Sequence, residues 1–114
     1  MIVDDSPSVL RFLRAFLSRA GHDIVAEAHS AKSALEISKT TTFDLLVTDY
    51  ILPDGNGYQV ATNIKRNKSE VHIIIMTGED SFKCEEFSVI RKPFDLEKMK
   101  RIIELINSDN QSKI

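Results

Sequence analysis

Five short apolar runs alternate with stretches of helical spacing, and that alternation restricts this chain to a layered α/β fold. Met1-Ile2-Val3, Asp23 to Ala28, Phe43 to Thr48, Val71 to Met76 and Ser88 to Arg91 read as the strands. Ser6 can cap a first helix with Pro7 at its first position, and Gly21 can end it. Within that span Val9, Phe12, Leu13, Phe16, Leu17 and Ala20 recur at helical spacing. Ser30 opens a second helix through about Lys39, with Ala31, Ala34, Leu35 and Ser38 inward. The turn-rich Pro53-Asp54-Gly55-Asn56-Gly57 leads into a third helix, from about Tyr58 to Asn67, with Val60, Ala61 and Ile64 inward. Asp95 can cap the last helix, whose inward face is Leu96, Met99, Ile102, Ile103 and Ile106. The near-continuous apolar run at Phe43 to Thr48 suggests a strand buried on both faces, as in a parallel sheet.

One interval breaks the rhythm. The fourth and fifth strands are joined only by Thr77 to Phe87. A parallel crossover usually needs a dozen or more residues, most often a helix. The fourth helix is therefore a turn or two, or a loop, and Gly78, Asp80 and Ser81 weaken it further.

The 114 residues suffice for one domain, read here as residues 1–106 with a polar tail at 107–114. A net charge of −2 offers no broad basic surface for nucleic acid. No apolar run approaches the roughly 18 residues of a membrane span. Two acids follow Val3 at once, which is no signal peptide, and a lone Cys84 makes no internal disulfide. A cytoplasmic location is the expectation.

The chemistry gathers at strand ends. Asp4 and Asp5 follow the first strand, Asp49 follows the third, Thr77 the fourth and Lys92 the fifth. In an open parallel sheet, ligands bind outside the carboxyl ends of the strands. Carboxylates held close together repel, and a divalent cation such as Mg²⁺ relieves them with oxygen ligands. An aspartate can also attack a phosphoryl group to give an aspartyl phosphate, a transfer governed by positioning and charge neutralisation. Singly, each residue has a plainer reading. Asp4 and Asp5 suit a helix N-terminus, Thr77 a strand end, and Lys92 solvent.

Ile2-Val3-Asp4-Asp5-Ser6, Asp44-Leu45-Leu46-Val47-Thr48-Asp49, Leu52-Pro53-Asp54-Gly55-Asn56-Gly57, Ile73-Ile74-Ile75-Met76-Thr77 and Arg91-Lys92-Pro93-Phe94 stand in one order over nearly the whole chain. In that order the sequence resembles a response-regulator receiver domain of the chemotaxis-receiver type. The resemblance implies a flavodoxin-like, doubly wound, five-stranded parallel sheet of order 2-1-3-4-5. It implies Asp49 as phosphoacceptor and Asp5 as a direct Mg²⁺ ligand, with Asp4 acting mainly through a bound water. The Ile51 backbone carbonyl would be a further metal ligand. Thr77 and Lys92 would contact the phosphoryl group, and the Lys92–Pro93 bond would be cis. The implied phosphodonor is a histidine kinase or histidine phosphotransfer protein, with Phe12 and Arg11 near its docking surface. The output is a downstream protein target or a fused output domain, from a stand-alone receiver or a piece of a larger regulator or hybrid kinase. Such a domain is no enzyme beyond catalysing its own phosphorylation and dephosphorylation.

Three features depart from the family pattern. Val89 stands three positions before Lys92, where receivers usually carry an aromatic residue; Phe87 lies nearby with the same strand parity. The fourth helix is curtailed, and a mobile segment around Glu79 to Glu86 that orders on phosphorylation is expected in its place. Only Met1, Ile2 and Val3 precede the acids in the first strand. Two rival functions remain. One is a receiver-fold interaction module that signals without phosphate. The other is a magnesium-dependent phosphatase with Asp4 or Asp5 as nucleophile.

Overall fold

The computed structural model describes residues 1–92 and 96–112, with the backbone alone for 108–112. The capping role of Asp95 and the isomer of the Lys92–Pro93 bond lie outside the described residues. The elements in chain order are β1 (Ile2–Val3), α1 (Pro7–Arg19), β2 (Glu27–Ala28), α2 (Ala31–Ser38), β3 (Leu45–Asp49), β4 (Ile51–Leu52), β5 (Gly55–Asn56), α3 (Gly57–Asn67), β6 (His72–Thr77), β7 (Ser88–Arg91) and α4 (Leu96–Ser112). Five of the strands form one parallel sheet of order β2-β1-β3-β6-β7, the order the resemblance implied.

Strand parity sorts the core into two layers. Val3, Leu46, Ile73 and Ile75 pack with Ala34, Val60, Ala61 and Ile64 of α2 and α3. Ile2, Val47, Ile74, Met76 and Ile90 pack with Leu10, Leu13 and Leu17 of α1 and with Met99, Ile103 and Ile106 of α4. The buried strip of α1 is Leu10, Leu13 and Leu17; Val9, Phe12, Phe16 and Ala20 flank it half-buried. Leu96, expected inward, is 44% exposed, because it lies at the helix start, one turn short of the sheet contact at Met99. The helix also continues past Ile106 to Ser112.

Caps form at Ser6 and Ser30, where the sequence places them, and also at Asn56. Ser6 Oγ accepts from Val9 N–H, and Pro7 opens α1. Ser30 and Ser33 make reciprocal bonds at the start of α2, and Asn56 Oδ1 accepts from Gln59 N–H at the start of α3. Gly21 takes φ +91°, a left-handed conformation suited to the chain reversal after α1.

Two elements differ from the sequence expectation, and a third follows it. β2 is only Glu27–Ala28, since β1 offers it just Ile2 and Val3 as partners. The turn after Asp49 is a small antiparallel hairpin, β4–β5. At its tip Asp54 accepts from the N–H groups of Ala31 and Lys32, tying the hairpin to the first turn of α2. No helix forms between β6 and β7, as the short interval required. Phe82 and Phe87 from that segment pack instead against the α2–α3 side of the core.

Candidate functional site

The parity that sorts the core also selects the site. Asp4, Asp49 and Lys92 continue the parity of Ile2, Val47 and Ile90, so all three project on the α1–α4 side at the carboxyl ends of adjoining strands. Lys92 Nζ lies 3.2 Å from Asp49 Oδ2 and 3.4 Å from Asp4 Oδ2. Asp4 is buried at 1% exposure, and its Oδ1 accepts from Ser6 N–H. Asp5 is exposed and supplies the solvent side.

Carboxylate oxygens of Asp4, Asp5 and Asp49 all lie within 4.8 Å of one another. Two of these three carboxylates, Asp4 and Asp49, share one ammonium, and burial of Asp4 limits how far water can screen them. The Asp49 carboxyl is pushed above its ordinary range, first by burial, with Asp4 adding to the effect. Lys92 and the Ile51 N–H pull it back. Hard oxygen donors with an excess of negative charge fit Mg²⁺.

Backbone packing fixes Asp49 from behind. Tyr50 N–H donates to Met76 carbonyl at 2.7 Å, and Gly57 N–H donates to Tyr50 carbonyl at 2.6 Å. The start of α3 therefore lies directly against the end of β3. Thr77 ends the neighbouring strand, one residue beyond Met76, the cross-strand partner of Asp49. It is buried, and its Oγ1 accepts from Glu79 N–H at 2.9 Å. Among the described residues its hydroxyl makes no hydrogen bond to any of the carboxylates.

The expected residues Asp4, Asp5, Asp49 and Lys92 therefore converge, and Thr77 borders them. Ile51 is present through its N–H on Asp49, with its side chain 55% exposed. Sequence reasoning missed Gly57, Tyr50 and Arg91. Tyr50 stacks on Phe82 with ring centroids 4.1 Å apart, and Tyr58 meets Phe82 edge-on and Phe87 at a tilt. Arg91 donates to the carbonyls of Glu79 and Phe82. Neither the meeting of Tyr50, Tyr58, Phe82 and Phe87 nor the close approach at Gly57 had a local signal.

A model of the response regulator receiver domain family matches residues 1–104. The chain is a receiver domain. It is 32% identical over 112 residues to the sensory transduction protein LytR of Staphylococcus haemolyticus, covering 93% of this chain and 44% of LytR. It is 29% identical over 107 residues to the response regulator ArlR of Staphylococcus saprophyticus, covering 87% and 47%. The chain thus spans less than half the length of either relative. Among solved structures, the response regulator PhyR from Brucella abortus superposes with a TM-score of 0.83 at 21% identity, covering 99% of this chain and 49% of PhyR. A CheY-like receiver domain protein from Methanospirillum hungatei superposes at 0.73 with 24% identity, covering 95% of each. These structures share the fold. Receiver domains are phosphorylation-dependent signalling switches of two-component systems rather than metabolic enzymes, and they generally bind Mg²⁺ at an acidic pocket. Among the described residues no helix is long and apolar enough to cross a membrane.

Proposed function

We propose that Asp49 is the residue this receiver phosphorylates, taking its phosphoryl group from a phosphohistidine on a kinase or phosphotransfer protein in the cytoplasm. One Asp49 carboxylate oxygen attacks phosphorus as the donor's P–N bond breaks, and the imidazole nitrogen keeps the electron pair. The observation that carries this reading is the 3.2 Å Lys92–Asp49 contact at the end of the central strand, with Asp4 and Asp5 alongside.

The residues divide the work by charge. Lys92 holds the carboxylate in place and stands ready to neutralise a phosphoryl oxygen. The Thr77 hydroxyl donates to another. Asp4 and Asp5, with Asp49 and the Ile51 carbonyl, would hold Mg²⁺. When bound, that ion supplies charge neutralisation to the transferring group. The domain would also hydrolyse its own acyl phosphate, and the changed surface would bind a protein target or a fused output domain.

Val89 in the aromatic position and the missing helix before β7 favour a second reading, an interaction module that signals without phosphate. Labelling with a small-molecule phosphodonor, followed by intact mass, separates the two. Mg²⁺-dependent gain of one phosphoryl group supports the switch. A folded protein that gains none supports the module.

A further inference from the structure

Thr77 and Arg91 are cross-strand partners at the ends of β6 and β7. Lys92 N–H donates to the Thr77 carbonyl at 2.8 Å, so β7 fixes the Thr77 backbone. The hydroxyl is fixed separately, by Glu79 N–H at 2.9 Å. In a receiver with a helix after β6, backbone hydrogen bonds of that helix would orient such an N–H. Here no helix is available, and the side chain of Arg91 takes over. Its Nη1 donates to Glu79 carbonyl at 2.5 Å and its Nη2 to Phe82 carbonyl at 2.8 Å. Phe82 N–H also donates to the Glu79 carbonyl at 3.2 Å, closing the turn.

We infer that Arg91 is a positioning residue for the Thr77 hydroxyl, acting through the Glu79 backbone, whose carbonyl it holds and whose N–H meets the hydroxyl. This rests on the proposed roles of Asp49 and Thr77. A hydroxyl has one proton and two acceptor sites. Glu79 N–H occupies an acceptor site, and among the described residues no group accepts the Thr77 proton. The proton is thus available to a phosphoryl oxygen on the neighbouring strand end. A planar guanidinium fork can hold two carbonyls at once, which a single ammonium cannot do in the same geometry. The same fork sets Phe82 against Tyr50, the residue after Asp49.

A double-mutant cycle tests this role. The rate constant for labelling by acetyl phosphate at saturating Mg²⁺ is measured for the wild type, Arg91→Ala, Thr77→Ala and the double variant. Arg91→Ala is expected to slow labelling by about 3–10-fold, the range a misplaced hydrogen bond commands. In the Thr77→Ala background it is expected to add nothing. Arg91→Lys keeps the charge, loses the fork and is expected to slow labelling as alanine does; it also carries the test if the alanine variant does not fold. Equal slowing in the Thr77→Ala background, or full rate in Arg91→Lys, overturns the role while leaving Asp49 as acceptor. No labelling of the wild type overturns the reading of Asp49 and this role with it.

Discussion

A Cβ on Gly57 would overlap the carbonyl oxygen of Asp49 and lie 3.0 Å from Thr48 Cγ2. Backbone, not a flexible side-chain tip, fills the space. Gly57→Ala must therefore push the start of α3 away from the strand end that carries Asp49. Urea unfolding should show a loss of about 1–3 kcal/mol, the cost of overpacking. Phosphodonor labelling should fall more than stability does, because the displaced atoms belong to Asp49 itself. An alanine variant with wild-type stability and labelling would contradict the close packing.

Asp49 ties stability to the metal. Burial raises its carboxyl above the ordinary value of 3.8. A raised acid binds its proton more tightly folded than unfolded, so its ionisation costs stability as pH rises through that interval. Near pH 7 in chelator, Asp49→Asn should melt above the wild type. Saturating Mg²⁺ should reverse the difference: at 100 times its dissociation constant a ligand adds about 2.7 kcal/mol to the state that binds it. Thermal melts with and without Mg²⁺ check both signs. An equal Mg²⁺ effect on both proteins would place the ion elsewhere.

Most of the fold was legible because its signals are local and mutually consistent. Ser6-Pro7 and Ser30 mark helix starts, and Phe43 to Thr48 declares a central strand. The convergence of Asp4, Asp5, Asp49 and Lys92 was readable from strand ends together with the family resemblance. Contacts set by tertiary approach were not. Nothing local tells that Asp54 reaches back to α2, that Gly57 sits under Asp49, or that Arg91 grips two carbonyls. Leu96 misled because its helical phase is apolar, whereas its depth depends on where α4 meets the sheet.

The Asp54 link gives a pH signature. The N–H groups of Lys32 and Ala31 hold its carboxyl below the ordinary 3.8. Such a lowered acid contributes stability above the unfolded value, and the contribution is lost as pH falls through the folded one. Asp54→Ala should therefore be less stable than wild type at neutral pH, and the gap should close in acid. A gap independent of pH would mean that the carboxylate charge plays no part.

Both tyrosines of the chain, Tyr50 and Tyr58, touch Phe82, and the chain has no tryptophan. Intrinsic emission thus reports on the segment that replaces the helix. Phosphodonor with Mg²⁺ should change tyrosine emission in the wild type, and Phe82→Ala should weaken that response. Unchanged emission on full labelling would show the segment to be uncoupled from the site.

Location of the acyl phosphate tests the central claim most directly. Borohydride reduces an aspartyl phosphate to homoserine, which peptide mass spectrometry places in the sequence. After labelling with Mg²⁺, the account predicts homoserine at position 49 and none in Asp49→Asn. Homoserine at position 4 or 5, or at no position in a folded protein, would contradict it.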